Sequence, residues 1–455
     1  MKTRVPSTTI YDAVIVGGGP AGLAAALALT RPASASAHDE RTPRILLLEG
    51  RAGPIDKVCG EGIMPTGRAF LSALGLPAFT ERAPDFGYAF RGIRYIAPGG
   101  RAATADFAEG PGLGVTRSEL SGMLQEQLGE HRGLEVRRAR FRSLERMNET
   151  QFVITDRDER IQTRLVIGAD GLHSRVRRAA GLAGKPVDPR DGRWGTRRHF
   201  RMRPWSEHVE VYWSRNAEAY VTPVGMDRVG VAILWNPGRT RKADVPGSDA
   251  GPESNFERLL SLFPELAGRL AGAEALDDAR GVGPLRQRVK RSTLDGVLLM
   301  GDAAGYLDAA TGEGLSLAFA QALALVPSVR PLLTRDDALI TARDLRPFAR
   351  EQKRITTPYY LMTSAVLLLH RWPWFQRPAV AVLSRLPRLF QLLLSLNMGV
   401  RHVADPGPVD YELTSRRTEP GVSPVQARKA RAKELGSSKP NKNEICSPGK
   451  SELVR

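Results

Sequence analysis

The chain has 455 residues, of which 42% are hydrophobic, so it can bury a sizeable core and should contain two or more structural units. Its net charge of +17 comes from 55 arginines against 11 lysines, spread along the sequence with no nucleic-acid-binding motif, and we predict no nucleic-acid partner. Two cysteines exclude a disulfide framework, and seven histidines without metal-ligand spacing predict no metal site.

The first predicted element is a strand at 13–16 that ends in a glycine-rich turn and a helix. Gly17 permits the turn, Gly19 lets a pyrophosphate approach the backbone, and Gly22 lets the helix pack closely on the sheet. Pro20 and Ala21 open the helix, whose N-terminal N–H groups favour a phosphate. A second strand, 44–48, ends in Glu49, which can accept hydrogen bonds from both ribose hydroxyls and predicts an FAD- or NAD-like nucleotide.

Two further apolar runs end in turns of small residues. Residues 165–167 precede Gly168-Ala169-Asp170-Gly171, and residues 297–300 precede Gly301-Asp302-Ala303-Ala304. The three strand–turn motifs, in this order, are typical of a flavoprotein that encloses FAD.

The spacing of these motifs predicts an α/β fold with a discontinuous, Rossmann-like FAD/NAD(P)-binding domain at 1–88, 112–182 and 281–345. Residues 193–235 alternate in polarity and carry aromatics, which indicates an antiparallel sheet. We therefore predict an inserted substrate domain at 89–111 and 183–280, with a substrate chamber at the domain interface.

The C-terminal part is predicted to be a helical region at 346–411 followed by a basic, disordered tail at 412–455. No uncharged run reaches the ~18 apolar residues that a membrane span requires. We expect a helical cap and a cytoplasmic protein. The alternative is a peripheral contact of 359–400 with a membrane surface, or a lid over an apolar substrate.

These motifs resemble the FAD-dependent aromatic-hydroxylase superfamily, which contains monooxygenases, flavin halogenases and geranylgeranyl reductases, over about 10–345. The resemblance implies a glutathione-reductase-type FAD fold. It also implies that Arg117 contacts FAD phosphate or ribose, that Asp170 belongs to a signature for FAD and NAD(P)H, and that Asp302 binds the ribityl chain. Gly312 and Gly314 would then open a helix that faces the flavin pyrimidine edge.

Two local motifs resemble geranylgeranyl reductases in particular. They are Cys59-Gly60-Glu61-Gly62 and Thr311-Gly312-Glu313-Gly314. Cys59 would lie at the flavin face as a proton donor, or be a small buried residue at a turn. Of the aromatic motif that prenyl reductases and halogenases share, only Tyr220 and Pro223 remain, so Tyr220 is the second catalytic candidate and halogenation is not expected.

These observations lead to three hypotheses on function. The first is an NAD(P)H-dependent monooxygenase that hydroxylates an apolar or aromatic small molecule through a flavin C4a-hydroperoxide. The second is a reductase that saturates C=C bonds of an apolar substrate with the help of Cys59. The third is a basic flavin-containing binding protein. Superfamily membership favours the first, and the two local motifs favour the second. The oligomeric state is left open.

Overall fold

A computed structural model describes residues 9–31, 41–76, 79, 86–129, 131–147, 150–240, 252–335 and 339–398. The predicted basic tail, 412–455, lies outside the described residues.

The described strands, in chain order, are β1 Ala13–Val16, β2 Ile45–Leu48, β3 Gly62–Ile63, β4 Tyr88–Phe90, β5 Gly92–Ile96, β6 Ala102–Asp106, β7 Gly112–Gly114, β8 Leu134–Arg137, β9 Phe141–Met147, β10 Thr150–Thr155, β11 Arg160–Thr163, β12 Val166–Gly168, β13 Trp194–Arg201, β14 His208–Trp213, β15 Ala217–Gly225, β16 Arg228–Trp235, β17 Glu274–Ala275, β18 Arg280–Val282, β19 Thr293–Leu294 and β20 Val297–Leu299. The α-helices are α1 Pro20–Thr30, α2 Pro65–Ala73, α3 Arg117–Glu126, α4 Arg175–Ala179, α5 Pro252–Leu260, α6 Pro264–Leu270, α7 Gly314–Ser328, α8 Arg330–Leu333, α9 Arg346–Arg371, α10 Gln376–Arg385 and α11 Pro387–Asn397. Two short 3-10 helices are Gly301–Ala304 and Pro373–Phe375.

The first sheet is parallel except at one edge and has the strand order β19-β20-β12-β1-β2-β8. Strands β1 and β2 are buried along their whole length, as continuous apolar runs in parallel sheets are. Because β1, β12 and β20 are neighbours and run the same way, their carboxyl ends bring the three predicted glycine turns to one edge of the sheet.

The second large sheet has eight strands, with the order β17-β13-β16-β15-β14-β5-β6 and with β18 also pairing with β13. The sequence predicts an antiparallel sheet here, and the structure differs at one place: β5 and β14 pair in parallel. A long connection separates these two strands, so no hairpin forces them to run in opposite directions. Helices α5 and α6 cover this sheet with Phe256, Leu259, Phe263 and Leu266.

The C-terminal helices pack against both parts of the fold: α9 contacts α7, and α10 and α11 contact β6 of the eight-stranded sheet. Within the described ranges, no single helix is long and apolar enough to cross a membrane. One bent pair, Gln376–Arg385 with Pro387–Leu396, passes that test jointly with a bend of 108°.

Candidate active site

The first glycine turn is closely packed on one side and open on the other. Gly17 has φ +109°, and a Cβ on Gly22 would lie 1.8 Å from the Gly17 carbonyl oxygen. A Cβ on Gly19, by contrast, would meet no protein atom within 4 Å. Gly19, Pro20 and Ala21 line a cavity at this point, so a ligand can approach the N-terminus of α1.

Glu49 follows β2 and turns its carboxylate towards the same loop. Its Oε2 accepts a hydrogen bond of 2.8 Å from the Gly18 amide, and its Oε1 accepts one of 2.9 Å from the Arg51 amide. The carboxylate is thereby fixed beside the turn at which the sequence predicts a ribose.

Arg117 and Asp170 carry buried polar atoms that have no hydrogen-bond partner among the described residues. These atoms are Nε and Nη1 of Arg117 and Oδ1 of Asp170. The other oxygen of Asp170 accepts from the Arg175 and Val176 amides and so caps α4. Buried unpartnered donors and acceptors carry a free-energy cost that a polar ligand would remove. The site therefore fits a cofactor that offers both acceptors and donors.

The second and third turns are tied together by Arg177. Its guanidinium donates to the carbonyls of Asp302, Ala303 and Leu172 at 3.2, 3.0 and 2.7 Å. Burial lowers the pKa of Arg177. The amide of Gly301 donates to Gln321 on α7. These bonds fix the backbone of Asp302, which lines the cavity.

At the start of α7, Gly312 has φ +72° and Gly314 is the first helical residue. Between them, burial raises the pKa of Glu313 to about 8. The protonated form of the carboxyl group therefore predominates at pH 7, and the α7 N-terminus retains its positive electrostatic potential for a ligand in the cavity.

One cavity of about 380 Å³ joins most of the predicted residues. Of the cofactor-binding candidates, it is lined by Gly19, Pro20, Ala21, Arg117, Gly301, Asp302, Gly312 and Gly314. The remaining four, Gly17, Gly22, Glu49 and Asp170, lie in the turns around it. The cavity extends from these turns along the eight-stranded sheet to the C-terminal helices, where Met362, Val366, Leu383, Phe390 and Leu394 form its apolar wall.

Both catalytic candidates also line this cavity. Cys59 is partly exposed, and its Sγ accepts a hydrogen bond of 3.3 Å from the Glu61 amide. The Tyr220 hydroxyl donates to the Ala310 carbonyl at 2.8 Å, and burial raises the pKa of Tyr220. This bond fixes the Tyr220 hydroxyl against the segment before α7.

Sequence reasoning missed two side chains of the site. Lys57 lines the cavity, with Nζ 2.2 Å from where a Cβ on Gly171 would lie, and burial lowers its pKa. Tyr306 lies beside Gly314. The apolar wall formed by α9 to α11 lies within 359–400, for which the sequence suggested, as an alternative, a lid over an apolar substrate. Within the described ranges, no group of three or more histidines, cysteines and carboxylates could hold a metal ion.

Comparison with known proteins identifies a family and several proteins that this chain resembles. A family model described as an FAD binding domain matches residues 10–342. The digeranylgeranylglycerophospholipid reductase of Methanococcus vannielii is 24% identical over 317 residues, which cover 68% of this chain and 74% of that protein. Among solved structures, the flavin-dependent brominase Bmp2 has a TM-score of 0.69 at 16% identity and covers 94% of this chain and 100% of its own.

A second solved structure is PqsL, a probable FAD-dependent monooxygenase from Pseudomonas aeruginosa. It has a TM-score of 0.59 at 20% identity and covers 77% of this chain and 94% of its own. At these identities, the solved structures show a shared fold.

Proposed function

The chain belongs to the FAD binding domain family and is an FAD-dependent oxidoreductase, and on that premise we propose that it saturates C=C bonds of an apolar lipid chain. The observation that carries this proposal is the cavity, which Cys59 lines together with residues of the glycine turns and which continues as an apolar passage to α9–α11. The name of the Methanococcus vannielii relative, a reductase of an unsaturated phospholipid, supports it.

FAD would be held by the glycine turns, Arg117, Asp170 and Asp302, and when bound it supplies the hydride. This chain would supply the proton. The Cys59 thiol would give its proton to one alkene carbon and be left as a thiolate, and with a hydride supplied to the other carbon the π bond would be replaced by two C–H bonds. Solvent then returns a proton to the Cys59 sulfur. We further propose NAD(P)H as the electron donor, which anaerobic bleaching of the flavin by NADH or NADPH would test.

The reaction is tested with FAD-loaded enzyme that is reduced chemically under strict anaerobiosis and then mixed with digeranylgeranylglycerophospholipid. We expect a product enriched by two hydrogen atoms per double bond, detected by mass spectrometry. Product that forms only after oxygen is admitted, and that has gained an oxygen atom, would overturn the reductase proposal.

Replacing Cys59 by alanine is expected to lower this single-turnover rate by about a hundredfold, because the variant lacks the proton donor. FAD content should be unchanged. The matched control is Val58→Ala, which alters the neighbouring wall residue and should cost no more than a few-fold. Equal rates for Cys59→Ala and wild type would remove the thiol from the mechanism.

Hydroxylation is the second candidate. Tyr95, Trp213 and Tyr220 give the cavity an aromatic wall that would hold a ring substrate, and the apolar lining would keep water from an oxygenating flavin. Incorporation of labelled oxygen from O₂ into the product distinguishes this candidate from reduction.

We also propose that the outer face of the C-terminal helices contacts a lipid bilayer. Eleven of the fifteen large apolar side chains exposed in the described part of the chain lie within 361–396, here called the apolar cap face. Arg377, Arg385 and Arg388 are exposed on the same helices. Leu393 belongs to this face and also lines the cavity, so an apolar substrate could enter from the lipid.

The test is co-sedimentation with vesicles of phosphatidylcholine and phosphatidylglycerol. We expect wild type to bind and the triple variant Trp374→Ser, Leu389→Ser, Leu392→Ser to lose most of that binding. Met226→Ser, which removes an exposed apolar side chain outside the face, is the control. Wild type that stays in the supernatant, or that forms dimers through this face in light scattering, contradicts the proposal.

A further inference from the structure

Residues 57–60, here called the cavity segment, carry Lys57 and Cys59. The segment lies between Asp56 and Glu61, and Arg197 contacts both of these acidic residues. Nη2 of Arg197 lies 3.0 and 2.9 Å from the two carboxylate oxygens of Asp56, and its Nη1 lies 2.9 Å from Oε1 of Glu61. Arg197 is on β13 of the eight-stranded sheet and is 1% exposed. The guanidinium of Arg197, on the eight-stranded sheet, therefore contacts the residues at both ends of the segment.

Glu61 connects this segment to the predicted cofactor site. Besides Arg197, its Oε1 accepts a hydrogen bond of 3.0 Å from the Arg117 amide at the start of α3. Its own amide donates to the Cys59 sulfur. The Glu61 backbone has φ +59°, an uncommon conformation for a non-glycine residue that persists only where the surroundings enforce it.

His199, two residues beyond Arg197 on the same face of β13, completes the cluster. Its Nε2 lies 2.6 Å from Glu61 and its Nδ1 lies 2.8 Å from Asp277. Burial lowers the pKa of His199, but the hydrogen bonds to Asp277 and Glu61 outweigh burial and raise it to about 9. The charged groups facing the His199 ring are Glu61, which follows the segment, Asp277 from the β17–β18 connection and Arg197 from the same strand.

We propose that Arg197 and His199 are positioning residues that hold the segment 57–60 between the substrate sheet and the cofactor turns. A buried ion cluster stabilises a fold no better than apolar packing of similar volume, so stability alone does not account for it. What the cluster provides is a fixed place for Cys59 and for the Arg117 helix. This role does not depend on the reaction performed, but its catalytic value rests on the proposed function.

The test compares Arg197→Lys with wild type, both loaded with FAD, by amide hydrogen exchange and without turnover. A lysine keeps the charge but lacks the planar fork that contacts Asp56 and Glu61 together. We expect exchange in 57–62 to become about tenfold faster while β1 and β2 keep their protection. The matched control is Arg201→Lys on the same strand, whose pair with Glu274 is exposed. Unchanged exchange in 57–62, or equal acceleration throughout the protein, would overturn the proposal.

A pH series provides the second readout. The folded-state pKa of His199 is raised, so its protonated ring stabilises the cluster fully below about pH 6.5. This stabilisation is lost as the pH rises through about 9. After correction for intrinsic exchange, protection of 57–62 in wild type should fall across that range. His199→Gln, which can still hydrogen-bond but does not titrate, should show no such step. A wild-type profile without the step removes His199 from the proposal.

If the segment loosens as expected but lipid reduction is absent, the positioning role stands and only the proposed function fails. If reduction occurs and hydrogen exchange in 57–62 does not respond to Arg197→Lys, the proposed function stands and the positioning role fails.

Discussion

Replacing Gly22 by alanine is expected to weaken FAD binding strongly and to destabilise the cofactor-free protein, whereas Gly19→Val should weaken only the binding. The added Cβ at Gly22 would lie 1.8 Å from the Gly17 carbonyl, a backbone atom that cannot move aside cheaply. We expect a loss of about 3 kcal/mol in the free energy of unfolding. At Gly19 the added side chain would enter the cavity and occupy the approach of the pyrophosphate.

The two variants form a matched pair because they lie three residues apart in one turn. Urea unfolding of cofactor-free protein should place Gly19→Val within about 0.5 kcal/mol of wild type and Gly22→Ala well below it. Titration with FAD should show both variants binding at least about a hundredfold more weakly, or about 2.7 kcal/mol. Gly19→Val protein that still binds FAD tightly would contradict the placement of the cofactor.

The glycine turns could be predicted because their signal is local: an apolar run, a sharp turn and a helix start occupy about ten consecutive residues. Gly17, Gly301 and Gly312 have positive φ, which is the reason that glycine occupies those positions. The neighbouring places of β1, β12 and β20 follow from the same motifs once the fold class is assigned. The family membership agrees with the resemblance on which that assignment rested.

The charged cluster could not be predicted, because it depends on contacts between distant segments. Arg197 and His199 read as ordinary polar positions of an alternating strand, and nothing local shows that both face Glu61, more than 130 residues earlier. The parallel pairing of β5 with β14 is equally non-local. Tyr220 was predicted from an incomplete motif, and only the structure shows its bond to Ala310.

Arg193→Met is expected to destabilise the protein by about 3–5 kcal/mol at neutral pH, since it removes the cation from a buried ionic group. Arg193 Nη1 lies 3.0 Å from Asp308, and its Nη2 contacts Glu218. The side chains of Glu218 and Asp308 are only 1% and 4% exposed. Burial opposes the charge of Arg193, yet Asp308 and Glu218 raise its pKa. Without the guanidinium, two buried carboxylates lose a cationic partner.

The effect should depend on pH with a definite sign. In the variant, burial without the guanidinium disfavours the ionised carboxylates, so its stability falls as the pH rises and the difference from wild type widens. Urea unfolding at pH 5 and pH 8 measures this. Arg201→Met, at an exposed ion pair, should cost no more than about 1 kcal/mol. Glu218→Gln added to Arg193→Met should recover part of the loss.

The consequence for the site follows from what Asp308 holds. Its side chain accepts a hydrogen bond from the Ala310 amide, and its carbonyl accepts one from the Tyr359 hydroxyl on α9. The Ala310 carbonyl in turn accepts a hydrogen bond from the Tyr220 hydroxyl. The Arg193 cluster therefore connects β15, residues 308–310 before α7 and the C-terminal helices. We therefore expect Arg193→Met to weaken protection from hydrogen exchange around 308–314 as well as overall stability. A variant that unfolds at the same urea concentration as Arg201→Met would show that the cluster does not hold these elements together.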